Sequence, residues 1–170
     1  MNSPTAIQHN RLEDGRFCLE TSCVLPLPID EVFEFFQDAH NLEALTPPFL
    51  KFRVLTPKPI PMAAGTLIDY RLSLRGIPIK WRTQILDWDP PHGFVDDQLK
   101  GPYKQWHHTH RFEEIEGGTL CTDKVVYQVP LGAWVQKWIV GPDVERIFRY
   151  RHTRMAELLV HKTADSKPAD

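Results

Sequence analysis

Three histidines stand in one short run, Gln105-Trp106-His107-His108-Thr109-His110-Arg111-Phe112. Imidazoles exchange protons near neutral pH and ligate metals, so their spacing decides which chemistry is open. In an extended strand successive side chains alternate faces. Trp106, His108, His110 and Phe112 therefore share one face, and His107, Thr109 and Arg111 share the other. Two histidines between two large aromatics lie on a face that reads as inward, where buried polar groups need partners. The next segment offers them. Glu116-Gly117-Gly118 reads as a tight turn into a second strand that carries Cys121, Asp123, Val125 and Tyr127 at one parity. A loop of Glu116-Gly117 sets His110 opposite Asp123. A loop of Gly117-Gly118 sets His110 opposite Val125 and His108 opposite Tyr127. Either even-length loop puts the two sets on one inner face, and an odd loop or a bulge would break the match.

A carboxylate beside an inward histidine makes an acid–base pair: Asp123 would orient His110 and raise its pKa. Such a pair suits a cyclase or dehydratase moving protons on a polyketone-like ligand. Two other readings stand beside it. The groups orient a ligand without reacting, or His, Asp and Tyr bond one another as a polar patch that fixes the sheet. His108 and His110, two residues apart, form with Asp123 a set of two histidines and one carboxylate of the kind that holds metals. That spacing is weakly specific, and neither metal nor cofactor is expected. His107 reads as a surface residue, and His40 and His92 as solvated. There is no glycine-rich phosphate loop and no GxSxG motif. Cys121 reads as a core cysteine rather than a nucleophile.

The elements that must hold these residues follow from periodicity. Residues 16–25 alternate as a first strand, and 1–15 read as a flexible tail. Ile29, Val32, Phe33 and Phe36 recur at helical spacing, with acids in the first turn. Asp38 suits the cap of a second short helix over 40–45 that Thr46-Pro47-Pro48 ends. Further strands follow over 50–55, 66–74, 77–88, 94–100, 103–115 and 120–129, with Arg75-Gly76 as a tight hairpin. Val144, Ile147, Phe148, Arg151, Met155, Leu158 and Leu159 trace one stripe of a long helix over about 143–161. Residues 162–170 read as a disordered tail. The expected fold is α+β: a curved antiparallel sheet of about seven strands around the long C-terminal helix, with two short helices after the first strand. One domain spans 16–161.

A gap between such a sheet and its helix would form an internal cavity. Tyr70, Trp81 and Thr83 lie on apolar strand faces, where they serve as core or as cavity lining. Gln98 is placed toward the cavity, although Gly101-Pro102 leaves its register to the next strand open. Arg151 lies on the apolar stripe and needs an acceptor if buried: Asp123, Asp96 or a ligand carboxylate. The alternative is an arginine that snorkels to solvent. The apolar segment 131–141, with Trp134 and Trp138, reads first as packed loop. Its other readings are a gate, a membrane-touching patch or a homodimer contact.

Composition narrows the partners. The 170 residues suit one domain, and 20 basic against 22 acidic residues give a net charge of −2 with no basic cluster. Nucleic acid and anionic membranes are therefore not expected partners. Three cysteines without CxxC spacing fit reduced thiols. Residues 1–16 lack the apolar core of a signal peptide, and no apolar run suits stable membrane insertion. The expectation is a soluble cytoplasmic protein.

The element order resembles the START-related helix-grip superfamily, also called SRPBCC. The carriers are Pro28-Ile29-Asp30-Glu31-Val32-Phe33, the Leu42-to-Thr46 segment before Pro47-Pro48, and Gly101-Pro102 with Trp106-x-His108-x-His110-x-Phe112. Gly118-Thr119, Asp123-x-Val125-x-Tyr127-x-x-Pro130 and Phe148-Arg149-Tyr150-Arg151 complete them. These motifs look like a bacterial polyketide cyclase/dehydrase-like branch. The resemblance implies a cavity for a small hydrophobic ligand, aromatic or polyketide/lipid-like, in a mostly metal-free superfamily. It implies no particular reaction, since members include carriers, receptors and enzymes. The site residues expected are His110 and Asp123 for chemistry. Tyr70, Trp81, Thr83, Gln98, Trp106, His108, Tyr127 and Arg151 are expected to contact the ligand.

Overall fold

The computed structural model describes residues 7–130 and 133–165. Eight strands form one antiparallel sheet: β1 (Ile7–Arg11), β2 (Phe17–Leu25), β3 (Arg53–Val54), β4 (Leu67–Leu74), β5 (Ile77–Asp89), β6 (Gly93–Lys100), β7 (Gln105–Ile115) and β8 (Gly118–Gln128). Their order across the sheet is β1-β2-β8-β7-β6-β5-β4-β3. Helix α1 (Ile29–Gln37) and short 3-10 helices at Ala39–Glu43 and Pro48–Leu50 fill the connection from β2 to β3. After β8 come α2 (Ala133–Val135), a π-helical turn (Gln136–Val140) and the long α3 (Gly141–Asp165). No described helix is long and apolar enough to cross a membrane.

Local chemistry explains most boundaries. Arg75 and Gly76 take φ of 51° and 86°, the left-handed pair that a two-residue hairpin needs to follow strand twist. Leu74 accordingly pairs with Ile77. The Asp38 side chain accepts from the His40 backbone N–H at 2.9 Å, capping the first 3-10 helix. Register shifts in β5 between Arg82 and Thr83 and between Ile85 and Asp87 bend that strand. α3 divides the core in two. Val144 and Phe148 pack with Leu19, Val125, Tyr127 and Val129, while Met155 and Leu159 pack with α1, β4 and β8. A fully buried side chain of this size contributes about 1.5–3 kcal/mol.

Four expectations are corrected. Residues 7–11 are a paired edge strand rather than part of a tail. Their alternation is almost wholly polar, so it carries no hydrophobic signature; His9 holds the strand instead, through Tyr127, Gln136 and Glu145. The strand expected over 50–55 shrinks to Arg53–Val54, because Lys51 turns left-handed (φ 46°) after a 3-10 turn. α3 is longer than expected at both ends, and at its start Pro142 is tolerated in the first turn. The segment over 133–140 is helical rather than packed loop, and leaves Trp134 and Trp138 exposed at 68% and 62%. The expectations for 1–6, 131–132 and 166–170 lie outside the described residues.

Gly93 opens β6 opposite Arg111, beside the histidine strand. A Cβ there would stand 2.2 Å from the His110 carbonyl oxygen. The backbone clash cannot be relieved by a rotamer change. Gly93→Ala is expected to cost about 1–3 kcal/mol of stability, read as a lower midpoint in urea denaturation.

Candidate functional site

Between the concave face of β4–β7, the C-terminal end of α1 and the first half of α3 lies a cavity of about 170 Å³. A core cavity of that scale admits a benzene-sized ring. Its walls are mainly aliphatic and aromatic, with a few polar residues among them. Thr83, Asp96, His108, His110 and Arg151 all reach it.

The sheet register builds the polar cluster. Ile115 pairs with Gly118, so the loop is Glu116-Gly117 and His110 stands opposite Asp123. On the other flank of β7, Asp96 of β6 stands opposite His108. The hydrogen bonds then cross these rungs. His110 Nε2 meets Asp96 Oδ2 at 3.2 Å, and His110 Nδ1 meets Asp123 Oδ1 at 2.8 Å. His108 Nε2 meets Asp123 Oδ1 at 2.9 Å, and His108 Nδ1 lies 3.8 Å from Asp96 Oδ2. Two imidazoles, 3.8 Å apart between ring centroids, are thus held between two carboxylates. Asp96 lines the cavity and Asp123 lies behind. Phe94 stacks on His110 at 4.1 Å and Phe148 meets His108 edge-on at 5.6 Å, closing the rings against water.

Electrostatics divides the pair of histidines. Burial and the neighbouring His110 push His108 down to about 4, against the pull of Asp123 and Asp96. Burial also disfavours charge on His110, but its bonds to Asp123 and Asp96 outweigh that and raise it. Burial alone would raise both carboxyls. The two histidines instead hold Asp96 below the usual carboxylate range and Asp123 well below it. Like-charge repulsion across the 3.8 Å between the ring centroids opposes charging both imidazoles at once.

Of the residues expected at the site, Tyr70, Trp81, Thr83, Trp106, His108, His110 and Arg151 line the cavity. Trp81 Nε1 donates to Thr83 Oγ1 at 3.0 Å, which satisfies the indole and turns its face inward. Arg151 is buried at 9% exposure rather than snorkelling. Its guanidinium lies 4.9 Å over the Phe148 ring, and its Nε has no hydrogen-bond partner.

Two expected contacts are corrected. Gln98 does not reach the cavity: its Nε2 donates to the Tyr103 carbonyl at 2.8 Å and its Oε1 accepts from the Tyr103 N–H at 3.3 Å, pinning the turn into β7. Tyr127 is fully buried in the second core; its hydroxyl accepts from Gln136 Nε2 and meets His9 Nε2 at 2.6 Å. Cys121 is a core thiol, and its neighbour Cys23 and burial push its pKa up, away from thiolate.

Three wall or near-wall residues escaped the sequence reading as site residues. Tyr103 stacks beside Trp106 with ring centroids 4.6 Å apart. Asp96 shares parity with the apolar Phe94, a signal that it points inward. His152 is buried with both ring nitrogens unpartnered; its spacing, four residues after Phe148 and three before Met155, puts it on the α3 stripe and was the signal that could have found it.

Removing one member of a buried ion pair leaves the other uncompensated. Asp123→Ala is expected to lower stability by about 3–5 kcal/mol. Asp97→Ala breaks only the half-exposed pair with His107 on the outer face and is expected to cost under about 1 kcal/mol. Urea denaturation of the two variants beside the parent chain measures the contrast.

Comparison with known proteins agrees with this geometry. Protein Ms6760 from Mycobacterium smegmatis superposes with a TM-score of 0.69 at 18% identity, over 94% of this chain and 99% of its own. TTHA0849 from Thermus thermophilus gives 0.65 at 17% identity, over 88% and 99%. CV1439 from Chromobacterium violaceum gives 0.67 at 13% identity, over 84% and 96%. These likenesses establish the helix-grip fold. No functionally curated protein matches the sequence significantly. Residues 25–156 match the family described as polyketide cyclase / dehydrase and lipid transport, and the chain belongs to that family.

Proposed function

We propose that the chain binds one small, largely apolar ligand, aromatic or polyketide/lipid-like, between the sheet and α3. The observation that carries this reading is a mainly apolar cavity with a small cluster of buried polar groups in its wall. Most of its wall is hydrocarbon and aromatic ring, while Asp96, His108 and His110 stand together on β6 and β7 with Arg151 reaching in from α3. Binding sites for small molecules have this form: apolar surface supplies the free energy, and a few placed polar groups orient the guest. Trp81, Trp106 and Tyr103 form an aromatic corner, with Trp81 and Trp106 edge-to-face at 5.6 Å, suited to a planar ring. Arg151, buried with an unpartnered Nε, offers its guanidinium to a carboxylate or other oxygen-rich end of the ligand.

A second reading is a cyclase or dehydratase. It is favoured by the pairing of His110 with both Asp96 and Asp123 at the cavity wall, since a positioned imidazole can move a proton on a bound polyketone. The two readings separate by mutation. In a carrier, His110→Ala leaves ligand retention nearly unchanged and there is no turnover to lose. In an enzyme, the same change abolishes turnover while retention persists.

Native mass spectrometry of the chain purified from its own host is expected to show a bound small molecule released on unfolding. Leu72→Trp, which fills the cavity from β4, is expected to reduce retention at least about tenfold; one displaced apolar ring is worth on the order of 1.4 kcal/mol or more. Retention that is indifferent to Leu72→Trp, with the fold intact by circular dichroism, would overturn the cavity as the binding site.

A further inference from the structure

We propose that Asp96, His108 and His110 bind one divalent first-row transition metal ion at the cavity wall, with Asp123 as the carboxylate that orients both imidazoles. The inference departs from the sequence expectation, which foresaw no metal and placed Asp123 in the ligand set. The three-dimensional arrangement exchanges the two carboxylates.

Each of the three residues offers one ligand atom, and those atoms all lie within 4.8 Å of one another. Asp96 Oδ2 is 3.2 Å from His110 Nε2 and 3.8 Å from His108 Nδ1. Ligand atoms around an ion at metal–ligand distances of about 2.0–2.2 Å stand roughly 3 Å apart, so small side-chain rotations bring the set to bonding geometry. The residues sit on adjacent, hydrogen-bonded strands rather than loops, with Asp96 directly opposite His108, so no backbone movement is needed.

The division of the ring nitrogens is the second observation. His108 turns Nδ1 and His110 turns Nε2 toward Asp96, while their other nitrogens both meet Asp123 Oδ1, at 2.9 and 2.8 Å. When both rings are neutral, a carboxylate that accepts the rear N–H of each leaves a lone pair on each front nitrogen, the tautomer a metal requires, so the metal would displace the proton His110 shares with Asp96. Metal-ligating histidines carry such a partner as a rule, and it fixes ring orientation and basicity. Asp123 does so for two histidines at once. The charge balance agrees: two buried carboxylates face two imidazoles, and a divalent ion would neutralise them without protonating either ring.

Two nitrogens and one carboxylate oxygen are borderline donors. They favour zinc, iron(II), cobalt or nickel over magnesium and calcium, which take oxygen-only sets. Because all three ligands line the cavity, the remaining coordination positions of the ion would open onto the space assigned to the organic ligand. The contrast with His107 is informative. It meets Asp97 at 2.6 Å on the outer face, but that pair is not part of any three-ligand cluster among the described residues.

The test uses the full chain without a histidine tag, stripped with EDTA and dialysed, and no organic ligand, so its failure is separate from failure of the cavity reading. Co²⁺ titration followed by visible absorption, with Zn²⁺ competition and elemental analysis, is expected to give one ion per chain. Asp123→Asn is expected to weaken binding about 10–100-fold. Asp96→Asn and His108→Ala are expected to weaken it further, and His107→Ala to leave it unchanged. Should the buried variants fail to fold, the parent titration and His107→Ala still decide. No saturable binding by the parent chain up to millimolar Co²⁺ or Zn²⁺ would overturn the proposal. So would binding lost in His107→Ala, or kept by folded Asp96→Asn at parent affinity.

Discussion

Two carboxylates, Asp96 and Asp123, lie inside this protein where an isolated charge would cost several kcal/mol. They are tolerable because His108 and His110 stand between them: His110 bonds to both, and His108 bonds to Asp123 with Asp96 3.8 Å away. Much of the surrounding structure serves that constraint. β6, β7 and β8 must be adjacent and in one register for the four side chains to meet. The Glu116-Gly117 turn sets one half of that register. Gly93 permits the close approach at His110, and Phe94 and Phe148 seal the rings from water.

The same constraint divides the interior. One core gathers around Leu19, Val125, Tyr127 and Phe148, and its Val144 and Phe148 also meet the cavity. A polar knot of Tyr127 with His9 and Gln136 ties the first strand to the helical turn before α3, although Gln136 Oε1 finds no partner. The other core, between α1 and the middle strands, borders the cavity. The imidazole–carboxylate group stands at that border, with Arg151 reaching in from α3. A polar group at the edge of an unfilled space differs from one in a packed core, because unsatisfied capacity there can be met by a guest. That difference separates Arg151, which faces the cavity, from Tyr127, which does not.

What was legible from residues alone was whatever rests on local chemistry. The hairpins at Arg75-Gly76 and Glu116-Gly117 follow from turn geometry. α1 and α3 follow from helical periodicity, and the shared face of His108, His110 and Asp123 follows from alternation and an even loop. β1 was not legible, because an edge strand held by His9 and few apolar contacts lacks a hydrophobic pattern. The place of Gln98 was misread for a different reason. Parity points it inward, yet the turn at 101–104 takes its amide for the backbone of Tyr103.

Turn residues and alternation act over a few neighbouring positions, so the class of fold and the parity of the histidine strand were already written in the order of the residues. So was the meeting of those histidines with a carboxylate, since Asp123 is one short hairpin away. Three outcomes came only with the packed chain. A second carboxylate, Asp96, meets the histidines from the opposite side; Asp123 stands behind them and not in front; and Tyr127 lies off the cavity. They depend on how β6 docks on β7 across a turn of irregular length, and on where α3 leaves space above the sheet. Both are set by packing between segments far apart in the chain, which no local pattern encodes.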